Sequence, residues 1–71
     1  GMTRPVKHSV TIRGHRTSVS LEESFWTAFR EIAAARGMGL NELATEIDAA
    51  RGTSSGLASA IRVYVLDWYR N

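Results

Sequence analysis

The run Ser9-Val10-Thr11-Ile12-Arg13-Gly14-His15-Arg16-Thr17-Ser18-Val19-Ser20-Leu21 is the stretch whose reading decides the fold. Apolar and polar residues alternate on both sides of Gly14, with Val10 and Ile12 before it and Val19 and Leu21 after it. A period of two is the spacing of a strand with one buried face. Gly14 supplies a positive φ, so the sequence predicts a β-hairpin with Gly14-His15 as a two-residue type II′ turn. That turn opposes Arg13 to Arg16, Ile12 to Thr17, Thr11 to Ser18 and Val10 to Val19. Val10, Ile12, Thr17, Val19 and Leu21 then share one face. Ser9, Thr11, Arg13, Arg16, Ser18 and Ser20 line the other, which carries only hydroxyls and guanidinium groups.

After Leu21 the period becomes helical. Phe25, Phe29, Ile32 and Ala33, with Ala28 between, form one stripe, and Ala33-Ala34-Ala35 favours the helix. Ser20 and Glu23 have capping-box spacing, and Gly37 offers the stop. Trp26, beside the stripe, is expected across a subunit boundary or under the sheet. A second helix is expected from about Asn41 to Ala50, with Leu40, Leu43, Ala44 and Ile47 inward and Arg51-Gly52 at its end. Thr53 or Ser54 is expected to cap a third, running to about Arg70. Its stripe is Leu57, Ile61, Tyr64, Val65 and Trp68, broadened by Ala58, Ala60, Val63, Leu66 and Tyr69. One stripe suffices for a helix on a small monomer, so the second apolar face is expected to meet another chain.

Length sharpens that expectation. A single domain of 71 residues buries only about 60% of its unfolded surface and needs support. With no cysteine, neither disulfides nor thiolate metal sites can supply it, which leaves oligomerisation. The charged fraction of 23% and the single proline exclude a disordered composition. No apolar run reaches the roughly 18 residues of a membrane span, and no signal-peptide core follows the N-terminus. A cytoplasmic protein is expected. Gly1, ahead of Met2, is expected to be a remnant of expression. Residues 1–7 are expected to form a basic, flexible arm, and residues 8–71 a single domain.

Charge is unevenly spread. Residues 1–21 hold Arg4, Lys7, Arg13, Arg16 and both histidines without an acid, while residues 22–71 set five arginines against seven acids. A basic arm on a mildly acidic body points to a polyanion partner, nucleic acid first. Catalysis is not expected: no nucleophile elbow, phosphate loop or His-Glu-x-x-His pattern occurs. His8 and His15 without cysteine make no metal site, and no cofactor is implied.

The order of a basic alternating strand, a helix, a Gly-containing turn and a second helix resembles the ribbon-helix-helix proteins, the Arc and MetJ type of bacterial repressor. The run from Ser9 to Glu22, followed by Phe25-Trp26, looks especially like a subgroup of small bacterial ribbon-helix-helix domain proteins. The resemblance implies a mainly α fold with a short N-terminal hairpin or ribbon and an appended C-terminal helix. It also implies an intertwined homodimer, in which one strand from each chain pairs into a ribbon that enters the DNA major groove. The preceding strand of the hairpin would widen that ribbon to four strands. By position, Arg16, Ser18 and Ser20 are the expected base contacts; Lys7, Arg13, Leu40 and Asn41 are the expected phosphate contacts. The expected dimer core is Val19, Leu21, Phe25, Phe29, Ile32, Ile47, Leu57, Ile61, Val65 and Trp68. The expected function is a sequence-specific, DNA-binding transcriptional regulator. The alternative is a dimerisation or adaptor module that binds a protein partner and no DNA.

Overall fold

The computed structural model describes residues 4–53 and 55–71. Two strands, β1 (Val6–Ile12) and β2 (His15–Leu21), form an antiparallel hairpin. Three helices follow: α1 (Glu23–Ala35), α2 (Leu40–Arg51) and α3 (Leu57–Arg70). β1 opens at Val6, two residues ahead of the expected boundary between arm and domain; residues 1–3 of that arm lie outside the described residues.

The hairpin forms in a different register from the one expected. Ile12 opposes His15, Thr11 opposes Arg16, Val10 opposes Thr17 and His8 opposes Val19. The turn is therefore Arg13-Gly14, with φ of 52° and 80°. Two consecutive positive φ values define a type I′ turn, whose twist matches that of the strands, and Gly favours its second position. Arg13 bears the strain of a left-handed conformation, on the order of 1–2 kcal/mol. In return the ladder runs to seven pairs and sets Val6 against Leu21. The correction is a slip of two, which preserves parity, so the apolar face keeps its members and only Arg13 leaves the polar strand face.

Helix ends also differ from expectation. Glu22, not Ser20, is the N-cap of α1, and it makes no side-chain cap bond. Ser20 is still within β2, where extended backbone carries its hydroxyl away from the helix start. α3 begins after Gly56 rather than from a Thr53 cap, and Ser54 lies outside the described residues. The stop of α1 is as expected. Gly37, at φ 66°, donates to the Ala34 carbonyl at 3.0 Å and Met38 donates to Ala33 at 2.9 Å. These two bonds form a Schellman motif, which satisfies carbonyls that the helix itself leaves open.

The core lies between the inner face of the hairpin and the three helices. Val10, Val19, Leu21, Phe29, Ile32, Ala33, Leu43, Ala44, Ile47, Ile61 and Val65 are buried, and the last two belong to the appended helix. Each large side chain so enclosed contributes about 1.5–3 kcal/mol relative to exposure. Phe25 and Leu57 pack partly buried against this cluster, whereas Trp68 is 41% exposed in the single chain. Trp26 lies under the sheet: its ring stacks on His8 of β1, 4.0 Å between centroids and 6° from parallel.

One polar junction ties the helices together. Arg36, just past α1, donates to both Glu46 oxygens of α2, at 2.6 and 3.2 Å, and to the Tyr64 hydroxyl of α3 at 2.8 Å. These bonds hold the Glu46 carboxyl below the usual carboxylate range and raise the Arg36 guanidinium still further above neutrality.

Candidate nucleic-acid interface

The outer face of the hairpin is built by alternation alone. Lys7 stands opposite Ser20, Ser9 opposite Ser18 and Thr11 opposite Arg16. All but Thr11 are exposed, and Thr11 is half-buried. Arg13 is exposed in the turn beyond them. This face presents two cations and four hydroxyls, with no acid and no large apolar side chain. Such a surface attracts phosphate, offers hydrogen bonds of both polarities and lacks the aromatic platforms on which unpaired bases stack.

The two edges of the sheet are not equivalent. The Thr11 N–H points away from β2 and donates to Asn41 Oδ1 of α2 at 2.9 Å, so α2 engages the β1 edge. Because outward and inward groups alternate along an antiparallel ladder, Arg16, Ser18 and Ser20 direct their backbone groups to the β2 edge. The Ser20 carbonyl accepts from Arg62 of α3 at 3.4 Å. Arg62 also holds Glu22 at 2.9 Å. A hydrogen bond from its own backbone, and then Arg62, keep the Glu22 carboxyl below its ordinary range.

The start of α2 lies against this sheet through Asn41. Its first intrahelical bond runs from Leu43 N to Gly39 O, so the N–H groups of Leu40 and Asn41 precede the ladder. Leu40 is half-buried and Asn41 is exposed, with its side-chain oxygen already committed to Thr11. The Glu42 carboxylate folds back onto the Gly39 N–H at 3.2 Å and occupies a donor that an anion would otherwise use.

The structure thus brings Lys7, Arg16, Ser18 and Ser20 onto one face and sets Arg13 at its tip. Leu40 and Asn41 sit beside the other edge. Sequence reasoning missed Arg62, Glu42 and the His8–Trp26 stack. The Glu42 contact was legible, since Gly39 and Glu42 have capping-box spacing. The histidines are separated by role: His8 Nε2 contacts Glu23 Oε1 at 2.9 Å under the sheet, and His15 is exposed next to the turn. Among the described residues no cluster of three or more His, Cys, Asp or Glu could hold a metal ion. No helix among them is long and apolar enough to cross a membrane.

Comparison with characterised proteins and with solved structures gives no match. The family model of the ribbon-helix-helix domain matches residues 5–69, from the residue before β1 into the last turn of α3. The match covers hairpin, α1, α2 and the appended helix alike, and the chain belongs to the ribbon-helix-helix domain family.

Proposed function

We propose that this chain is a cytoplasmic, DNA-binding transcriptional regulator that acts as a homodimer through the outer face of its hairpin. The observation that carries the reading is that face itself: cations and hydroxyls in alternate positions, uninterrupted by an acid, beside a strand edge that a second copy can pair with. Two β2 strands joined edge to edge present Arg16, Ser18 and Ser20 twice, at the centre of a four-stranded sheet. Arg16 has the forked geometry that grips guanine O6 and N7, and the serines donate to or accept from several bases. At about 4.8 Å per strand, four strands span roughly 14 Å, slightly more than the 12 Å of the major groove. The central strands enter, and the outer strands ride against the groove walls. Lys7 and Arg13 then meet phosphates, as do the N–H groups of Leu40 and Asn41 at the start of α2.

The test is selection from a random duplex library, followed by titration of the enriched sequence at two salt concentrations. The expected result is an enriched motif with two-fold symmetry and binding that weakens steeply as salt rises. If no duplex is enriched and none binds at low salt, the regulator reading fails. A protein-binding adaptor then takes its place.

A further inference from the structure

β2 is covered unevenly on its inner face. Val19 and Leu21 are buried, but His15 and Thr17, which share that face, are exposed. The chain's own helices cover the C-terminal half of the strand and leave the N-terminal half bare. α3 stands at the covered end, where Arg62 reaches the Ser20 carbonyl and lies 5.8 Å from the centre of the Phe25 ring. Residues 62, 66 and 69 fall at i, i+4 and i+7, so Leu66 and Tyr69 continue the Arg62 strip along the helix. They are 51% and 59% exposed.

We propose that Leu66 and Tyr69 of α3 clasp a second copy of this chain, covering the bare His15–Thr17 half of its β2. The proposal rests on the homodimer reading above and names the surface that makes it stable. Antiparallel pairing of two β2 edges sets the C-terminal half of one strand beside the N-terminal half of the other. The apolar strip of each α3 therefore falls next to the uncovered stretch of its partner, and the match is made twice about one axis. That self-complementarity is what a two-fold interface requires, and it selects a second copy over an unrelated protein. Area points the same way. A ribbon edge from Arg16 to Ser20 is only roughly 13 Å long, so pairing along it alone is too small a contact to bury the roughly 1,200–2,000 Å² of a stable interface. The exposed large apolar side chains among the described residues are Val6, Val63, Leu66, Trp68 and Tyr69, and all but the first lie on α3.

The experiment measures mass by sedimentation over a concentration series, using the full chain and three single variants, with circular dichroism to verify folding. Leu66→Glu and Tyr69→Glu alter exposed positions and are expected to remain helical while weakening the dimer roughly tenfold or more. Val63→Glu is the control: Val63 is 57% exposed, but it lines an open cleft of about 360 Å³ between α2 and α3, about 100° around the helix from Arg62. It is expected to leave the mass unchanged. If Leu66→Glu and Tyr69→Glu both dimerise like the unmodified chain, the clasp is overturned and the ribbon reading stands. Dissociation by Val63→Glu to the same extent would overturn the assignment to this strip. An unmodified chain that is monomeric throughout removes both the clasp and the dimer. A dimer that binds no duplex removes the regulator reading and leaves the clasp in place.

Discussion

The two faces of the hairpin are made from alternate residues of the same two strands, yet they answer to different constraints. The inner face is fixed by neighbours wherever it is covered: Val10, Val19 and Leu21 are sealed against helices, and His8 is stacked on Trp26 and bonded to Glu23. The outer face is fixed by almost nothing in its own chain, with Thr11 and Ser20 tied only through their backbones. Residues one position apart therefore differ in what a substitution does. A change at a covered inner position should alter stability, and an outer change should alter binding while the fold stays as it was. Where that separation breaks, the assignment of faces is wrong.

The largest effect is expected behind the inner face. Phe29→Ala removes a fully enclosed ring and should cost about 3–5 kcal/mol, read as a shift in urea midpoint. A shift close to zero would mean that this helix face is not buried in solution. On the outer face, Arg16→Ala should leave the urea midpoint unchanged and cost about 1–3 kcal/mol of affinity per lost base contact, with relaxed preference among duplexes. Lys7→Ala should instead weaken all duplexes alike and reduce the salt slope by about one. Loss of stability in Arg16→Ala would break the separation directly.

Asn41→Ala probes the contact between sheet edge and helix. It removes the acceptor of the Thr11 N–H and should cost about 0.5–1.5 kcal/mol of stability by denaturant titration. Glu42→Gln should move the other way for binding. It removes a negative charge from the start of α2, so duplex affinity should rise while helix stability falls by about 0.3–1 kcal/mol. Unchanged affinity would show that the start of α2 does not touch phosphate.

The smallest effect is the acid dependence. Glu22 and Glu46 are both held below the usual carboxylate range in the fold. Their contribution is thus present above the carboxylate's unfolded value and is lost as pH falls through the folded one. Melting temperature should decline modestly on that acid limb, and Glu46→Gln should flatten it. An acid limb that Glu46→Gln leaves unaltered would place the effect at other carboxylates.

Much of this was legible in alternation and spacing, for definite reasons. Parity put Arg16, Ser18 and Ser20 on the polar face, and parity survives a slip of two, so the face was right while the register was not. Pattern alone does not choose between Gly14-His15 and Arg13-Gly14, because Gly14 serves either turn; ladder length decides it. The stripe of α1 and the Gly37 stop follow from local chemistry. The Ser20–Glu23 spacing misled because a strand ran two residues further than the cap required. The His8–Trp26 stack, the Arg36–Glu46–Tyr64 junction and the Arg62 contacts join residues far apart in sequence, which no local period encodes.

The closed core described above has a consequence for exchange. The buried side chains of that cluster are sealed by elements of one chain, so separating the two copies of the proposed dimer need not expose them. In the proposed homodimer, subunits would then trade partners at the rate at which edges and clasps part, rather than at the much slower rate of global unfolding. Mixed dimers between this chain and a close variant should form on simple mixing. Each half of such a dimer would bring its own Arg16-to-Ser20 segment, so two half-sites could be recombined without either chain refolding.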